Sequence, residues 1–477
     1  MGRGKLVAID NKWWVLLAVG VGSMLGGIDL SVVNIALPVI RREFACNVAT
    51  IEWAVTIYLL IVCGSLLSFG RLGDLRGQKR LYIVGFVVFV LGSAACGAAW
   101  NATALIVARG FQALGASMLF ASAPALITGN FPGSQRGQAL GLQLIMVYLG
   151  QMTGPVLGGW MTDHFSWRSV FFINLPVGVL ALWLSARFIP RDEPKEQTET
   201  FDFAGGGLFM ASFTVLLLGL NQGYDRGWTS PSIQGLLAGA VLLLIVFVLR
   251  EHRTPHPLLD LSLFHEPQFA MSVASAVLNY VSFYTITFLM PFYLIQGRGL
   301  TPSHAGLLIT IQPAVMSVSA PISGTLSDRL GTRWLAMAGM AIMGIGLFLL
   351  SRLQPDSPLA FVGFGVGVCG LGQGIFITPN NSAMMGSAPP HRQGIAGGVL
   401  GTARYVGMIL GVGIAGAIFT TFLARHTTAA LFEGIRASFL MASISGFLGC
   451  LTSAVRKEPT IAAGAQIASL PAAGDSR

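Results

Sequence analysis

The sequence predicts an all-α polytopic membrane protein with fourteen transmembrane helices, arranged as two six-helix bundles plus an inserted helix pair. Three observations carry that prediction. The chain of 477 residues is 53% hydrophobic and only 10% charged, against about 25% charged in soluble domains. Apolar runs of about 20 residues, long enough to cross a ~30 Å hydrocarbon core, recur from end to end. Finally, the basic, glycine-punctuated stretch Gly70–Arg80 (GRLGDLRGQKR) returns at Gly324–Arg333 (GTLSDRLGTR), an offset of 324 − 70 = 254 residues.

In chain order, the candidate spans are 13–37, 51–70, 81–100, 104–128, 138–161, 168–189, 203–222, 234–250, 269–296, 305–324, 335–352, 359–385, 394–423 and 436–455. A helix satisfies its own backbone in lipid, which makes a helical bundle the economical solution. Sixty glycines fit close helix–helix approach. The 254-residue repeat leaves spans 203–222 and 234–250 without counterparts, so they form the inserted pair. The organisation expected is a tail (1–12), an N-terminal bundle (13–190), linkers and inserted pair (191–268), a C-terminal bundle (269–457) and a disordered tail (458–477).

The net charge of +9 is spread over short loops. All five lysines and most loop arginines fall on the side of the two termini, and the positive-inside rule then places both termini in the cytoplasm. This distribution explains the basic balance without nucleic acid. Five scattered cysteines (Cys46, Cys63, Cys96, Cys369 and Cys450) show no CxxC or metal spacing and are expected as free thiols. No HExxH and no GxxxxGK[ST] phosphate loop is found, so neither a zinc hydrolase nor direct ATP drive is indicated. Gly365-Val-Gly-Val-Cys-Gly370 spells GxGxxG inside an apolar run, where helix packing explains it.

Asp29 is the one acid deep within a predicted span, where an ionisable group costs at least ~2.5–3.5 kcal/mol and calls for a partner. Arg109 lies at a similar depth in the fourth span, so pairing is geometrically allowed. Two readings stay open: a proton carrier that alternates between paired and protonated states, or a static structural pair. Gly22, Gly26 and Asp29 share a helix face, predicting a smooth groove beside the carboxylate. Glu52 and Asp163, near span ends, are expected to be solvated. Arg404, mid-span, either attracts an anionic group or caps carbonyls of a neighbouring helix.

Six motifs in order resemble the major facilitator superfamily, specifically its fourteen-helix drug–proton antiporter branch. They are the Gly70 and Gly324 loops, Arg109-Gly-Phe-Gln112-Ala-Leu-Gly115, Gly150-Gln-Met-Thr-Gly154-Pro155-Val-Leu-Gly158-Gly159, Asp29-Leu-Ser-Val-Val-Asn34-Ile-Ala-Leu-Pro38, and Trp167-Arg168 followed by Asn174-Leu-Pro176. The resemblance covers about residues 13–455. It implies a non-enzymatic exporter of a lipophilic small molecule in the bacterial inner membrane, driven by the proton gradient through alternating access. No cofactor or metal is expected, and the expected partners are substrate, protons and membrane lipids around a monomer.

The resemblance also implies roles for particular residues. Asp29 and Arg109 would couple protons. Asn34, Trp53, Tyr58, Gln112, Gln143, Tyr148, Tyr284, Gln312, Asn380, Asn381, Arg404 and Tyr405 are candidates for a substrate cavity. Gating would fall to Gly70, Asp74, Arg76 and Gly77, to Gly324, Asp328, Arg329 and Gly331, and to Gly154-Pro155, where proline removes a helix hydrogen bond and favours a kink. Helix capping by Asp74 and Asp328 is compatible with gating. Unlike many multidrug members, the chain has no acid within the spans from 269 to 423, which weighs against cationic substrates. A lipid exporter remains the principal alternative. A nutrient importer is disfavoured by the GPxxGG pattern, and a receptor by the lack of a visible soluble domain.

Overall fold

An apolar stretch in lipid must close its own backbone hydrogen bonds, and among the described residues fourteen stretches do so as helices long and apolar enough to span a membrane. The computed structural model describes residues 11–190, 203–254, 261–389, 393–424 and 429–455, and no strand occurs among them. Residues 1–10 of the expected N-terminal tail, the C-terminal tail and the polar linker 191–202 lie outside the described residues, whereas Asn11 and Lys12, expected in the tail, begin the first helix.

The N-terminal set comprises α1 (Asn11–Glu43), α2 (Val48–Arg76), α3 (Gln78–Gly97), α4 (Ala102–Asn130), α5 (Gly133–His164), the single turn α6 (Ser169–Phe172) and α7 (Asn174–Phe188). The inserted pair is α8 (Phe203–Arg226) and α9 (Pro231–Arg253). The C-terminal set comprises α10 (Pro267–Pro291), continued by a π-helical turn (Phe292–Gly297), α11 (Pro302–Leu330), α12 (Thr332–Leu350), α13 (Leu359–Ser387), α14 (Gln393–Leu423) and α15 (Ala430–Ala454). The spans run through several expected boundaries; α2, for example, absorbs most of the first basic loop and ends only at Arg76.

The internal duplication is visible in the backbone. Gly77 closes α2 and opens α3 at φ 99°, and Gly331 closes α11 and opens α12 at φ 84°. The left-handed region favours glycine, and 331 − 77 again gives 254. Arg76 and Arg329 are exposed beside these corners, whereas the side chains of Asp74 and Asp328 lie outside the described residues.

The inserted pair has a definite place. α8 packs on both α2 and α14 and so covers the seam between the bundles. Met210 lies over Gly64 of α2, Leu217 over Gly413 of α14, and Asn221 Nδ2 donates to the Ala49 carbonyl at 2.7 Å.

At the end away from the starts of α1 and α5, here the far end, the bundles are in close contact. Arg41 donates to Gln296 at 2.6 Å, the Ser303 amide donates to Asp163 at 2.8 Å, and Thr310 donates to the Met152 carbonyl at 3.3 Å. The backbones of Gly159 and Pro302 touch, as do those of Gly306 and Pro155. Toward the opposite, terminus-side end, Gly70, Gly129, Gly141, Gly386 and Gly397 have no atom within 4 Å of where a β-carbon would sit. The bundles are thus closed against each other at the far end.

Also at the far end, Glu43 accepts from Arg168 and from the Trp167 indole, both at 2.6 Å. Both charges are solvated, with 43% and 32% of their side chains exposed. Glu43→Gln is therefore expected to lower stability by no more than about 1 kcal/mol, with the loss shrinking in salt, as a thermal melt at two ionic strengths would measure.

Candidate functional site

The Asp29–Arg109 pair exists, and it is enclosed within the N-terminal set. Arg109 Nη1 donates to Asp29 Oδ2 at 2.9 Å, with the two residues 2% and 0% exposed. Gln112, one turn along α4, donates to Asp29 Oδ1 at 2.9 Å and accepts from Arg109 at 2.7 Å. Asn174, at the start of α7, donates to the same Oδ1 at 3.0 Å and to Ser93 at 2.9 Å, and Ser93 donates to the Phe171 carbonyl at 2.8 Å. Arg109 Nε donates to the Ala54 carbonyl at 3.1 Å. The carboxylate thus has three donors, one of them its counter-charge, the condition under which a buried ion is tolerated.

Tyr58 joins this cluster to the rest of the molecule. Its ring lies 4.1 Å from the Arg109 guanidinium carbon, a cation–π distance. Its hydroxyl is near enough to Asp29 to interact electrostatically but makes no hydrogen bond of good geometry. Tyr58 also interacts with Tyr405 across the seam between the bundles. There Tyr148 of α5, Tyr280 and Tyr284 of α10 and Tyr405 surround Arg404. Arg404 lies over the Tyr405 ring at 5.5 Å and engages the Tyr280 hydroxyl, while its Nε has no partner. Phe120 of α4 approaches Tyr405 at 6.5 Å between ring centroids.

The remaining candidates separate by position. Gln312 lines a small cavity of about 30 Å³ between the bundles with Tyr284, Thr287, Pro155 and Ser31. That is room for water rather than for a substrate. Trp53 packs against the hydrophobic core, Asn380 is buried in α13, and Asn381 is half-buried beside it. Asn34 is buried and donates to the Leu30 carbonyl of its own helix.

Several expectations require correction. Gln112 is committed to Asp29 and Arg109, and Gln143 donates to Ser23 of α1 at 3.1 Å, so neither faces a cavity. The predicted groove at Gly22 and Gly26 is filled by Tyr82 and Phe86 of α3 and by Phe120 of α4, because small residues admit bulky neighbours. Glu52 is 4% exposed, not solvated, because Gly416 of α14 lies directly against its carboxyl. Asp163 is exposed, as expected. Arg404 caps no backbone carbonyl among the described residues; tyrosines occupy its surroundings instead. By contrast, the close packing expected around Gly154-Pro155 is present in α5, one helix from Gly133 to His164 with Pro155 inside it. Its glycines serve close packing: Gly150 meets Met24 and Ile28 of α1, and Gly154 meets Ser31. The same device recurs where Gly407 and Gly411 of α14 meet the carbonyls of Val277 and Val281 on α10. Asn174 is the residue that sequence reasoning missed as a partner of Asp29, and Ser93 accepts a second hydrogen bond from it.

The family model of the Major Facilitator Superfamily matches residues 19–277 and 272–470. The chain belongs to this superfamily. It is 37% identical over 420 residues to the riboflavin transporter RibZ of Clostridioides difficile, covering 88% of this chain and 90% of that relative. It is 33% identical over 410 residues to the multidrug resistance protein Stp of Mycobacterium tuberculosis, covering 86% and 76%. The tetracenomycin C resistance and export protein of Streptomyces glaucescens is 31% identical over 411 residues, with 86% and 76% covered. These relatives place the chain beside the drug-exporting branch, among transporters rather than enzymes. A bacterial homolog of the human lysosomal transporter Spinster, solved in an inward-facing conformation, superposes with a TM-score of 0.68 at 16% identity, covering 94% of this chain and 97% of that one. That likeness establishes the shared fold.

Proposed function

We propose that this superfamily member is a secondary active exporter that expels a lipophilic small molecule in exchange for protons, with Asp29 as the proton-carrying group. The observation that carries the reading is the buried Asp29–Arg109–Gln112–Asn174 cluster, linked through Tyr58 to the tyrosine-lined seam between the bundles. A carboxyl that exchanges three donors for a proton changes the charge at the back of that seam. Tyr58 is the side chain through which substrate at the seam and proton at Asp29 would sense one another. Arg109 and Asp29 sit in the same bundle, so their exchange needs α1 to shift against α4, in addition to rocking of the bundles.

The asymmetry of basic residues puts the terminus-side end in the cytoplasm. With the far end closed, we read the conformation as the one that loads substrate from inside. A second reading, movement of riboflavin, is favoured by the 37% identity to RibZ. In everted vesicles carrying a pH-sensitive dye, lipophilic cations, neutral compounds, anions and riboflavin are added in turn. One class is expected to trigger proton movement, and Asp29→Asn to reduce it at least tenfold. Active substrate movement with no proton flux, equal in wild type and Asp29→Asn, would remove the coupling assignment.

A further inference from the structure

Glu52 takes no part in the Asp29 cluster, yet it is 4% exposed one turn inside the far end of α2. Its carboxyl lies against the bare backbone of Gly416 on α14, where an added methyl group would overlap Oε2 and stand 2.5 Å from Cδ. It therefore sits in the seam between the two bundles. Four residues on, the buried Thr56 hydroxyl has no hydrogen-bond partner.

No charged group among the described residues acts on Glu52. On α1, Arg41 donates to Gln296, Arg42 is exposed and Glu43 pairs with Arg168 at the far end, while deeper in the bundle Asp29 and Arg109 of α4 bond each other. On α14, Arg404 and Tyr405 lie about three turns nearer the terminus-side end. On α3, Lys79 and Arg80 are at the terminus-side end, and Tyr82 is turned to the Val19 carbonyl. On α8, Arg226 is exposed at the helix end, and the side chains of Tyr224 and Asp225 lie outside the described residues.

We propose that Glu52 is a proton-binding latch: the α2–α14 seam closes at the far end only over the neutral acid, and an ionised Glu52 holds it open. Burying a carboxylate with neither donor nor counter-charge costs several kcal/mol, whereas the neutral acid is tolerated far better. The identification of the far end with the external face rests on the export reading. Under that reading, an external proton on Glu52 permits the return to the substrate-loading state, which is the direction that antiport requires. The latch sets the timing of closure and differs from the carrier role of Asp29, since Glu52 need not pass its proton onward.

The test uses the full chain in nanodiscs without a gradient. Fluorophores are attached to Phe165→Cys and His304→Cys, two exposed far-end positions, with Cys46 and Cys450 replaced by serine. Lowering the pH is expected to raise energy transfer, the closed-to-open ratio changing by up to about tenfold per pH unit for one linked proton. Glu52→Gln, which mimics the neutral acid, is expected to stay closed at every pH. Gly416→Ala is expected to stay open at every pH, and adding Glu52→Ala to restore closure without pH dependence. Glu52→Gln with the wild-type pH profile, or normal closure in Gly416→Ala, would overturn the latch. If that happens while Asp29→Asn still abolishes proton flux, antiport stands without the latch. If closure titrates through Glu52 but no substrate moves protons, the latch stands and antiport fails.

Discussion

Arg109→Ala is expected to lower stability by about 3–5 kcal/mol, the usual consequence of leaving one member of a buried ion pair without its partner. The Asp29 carboxylate would keep Gln112 and Asn174 but lose its counter-charge at 0% exposure. The Ala54 carbonyl would lose the Nε donor, and the Tyr58 ring its cation. Arg109→Lys is expected to recover only part of the loss, because a lysine keeps the charge but not the fork that reaches Asp29, Gln112 and Ala54 together. Asp29→Asn combined with Arg109→Gln is expected to be milder than Arg109→Ala, since no buried charge is left alone. Thermal melts in detergent would check the order, with Arg168→Ala as the exposed control. Equal losses for Arg109→Ala and Arg168→Ala would show that the interior pair is not as sealed as its distances indicate.

Gly306→Val is expected to abolish transport, by at least tenfold, while changing the melting behaviour little. Any β-carbon at this position overlaps the Pro155 carbonyl oxygen and lies 2.9 Å from its carbon. Both atoms are backbone, so no rotamer change relieves the clash. The contact joins α11 to α5 rather than helices of one bundle, so the damage falls on far-end closure. Gly141→Val supplies the control: it lies on α5 near the terminus-side end with open space around it. A surface change of that kind is expected to stay within about 0.5 kcal/mol and to leave transport intact. Uptake in vesicles and a melt on each variant separate the two outcomes.

Much of the fold follows from features that a linear pattern carries. Apolar length gives the spans, and the 254-residue repeat gives the matched corners at Gly77 and Gly331, because only the left-handed backbone there demands glycine in both copies. The Asp29–Arg109 pair is legible because depth along two antiparallel helices can be counted from their ends. What counting residues does not supply is which way each helix is rotated. That is why Gln112 was grouped with cavity residues although it faces Asp29, and why the groove at Gly22 and Gly26 turned out to hold aromatic rings. Asn174 is legible as part of the Trp167-Arg168 motif but not as a partner of Asp29, because it starts a helix just beyond a chain corner, where a polar residue is ordinary; only the packing of α7 on α1 and α3 brings it to Asp29. Glu52 is the converse case, a carboxyl near a helix end that α14 covers from another part of the chain.

The measurement that reaches the central claim most directly is proton release from the purified protein in weak buffer when the transported compound is added. Binding is expected to favour the Arg109-paired state of Asp29, so wild type should release protons. Asp29→Asn should bind the compound without release. Equal proton release from wild type and Asp29→Asn, or binding to wild type with no release at any pH, would contradict the assignment of Asp29 as the proton carrier.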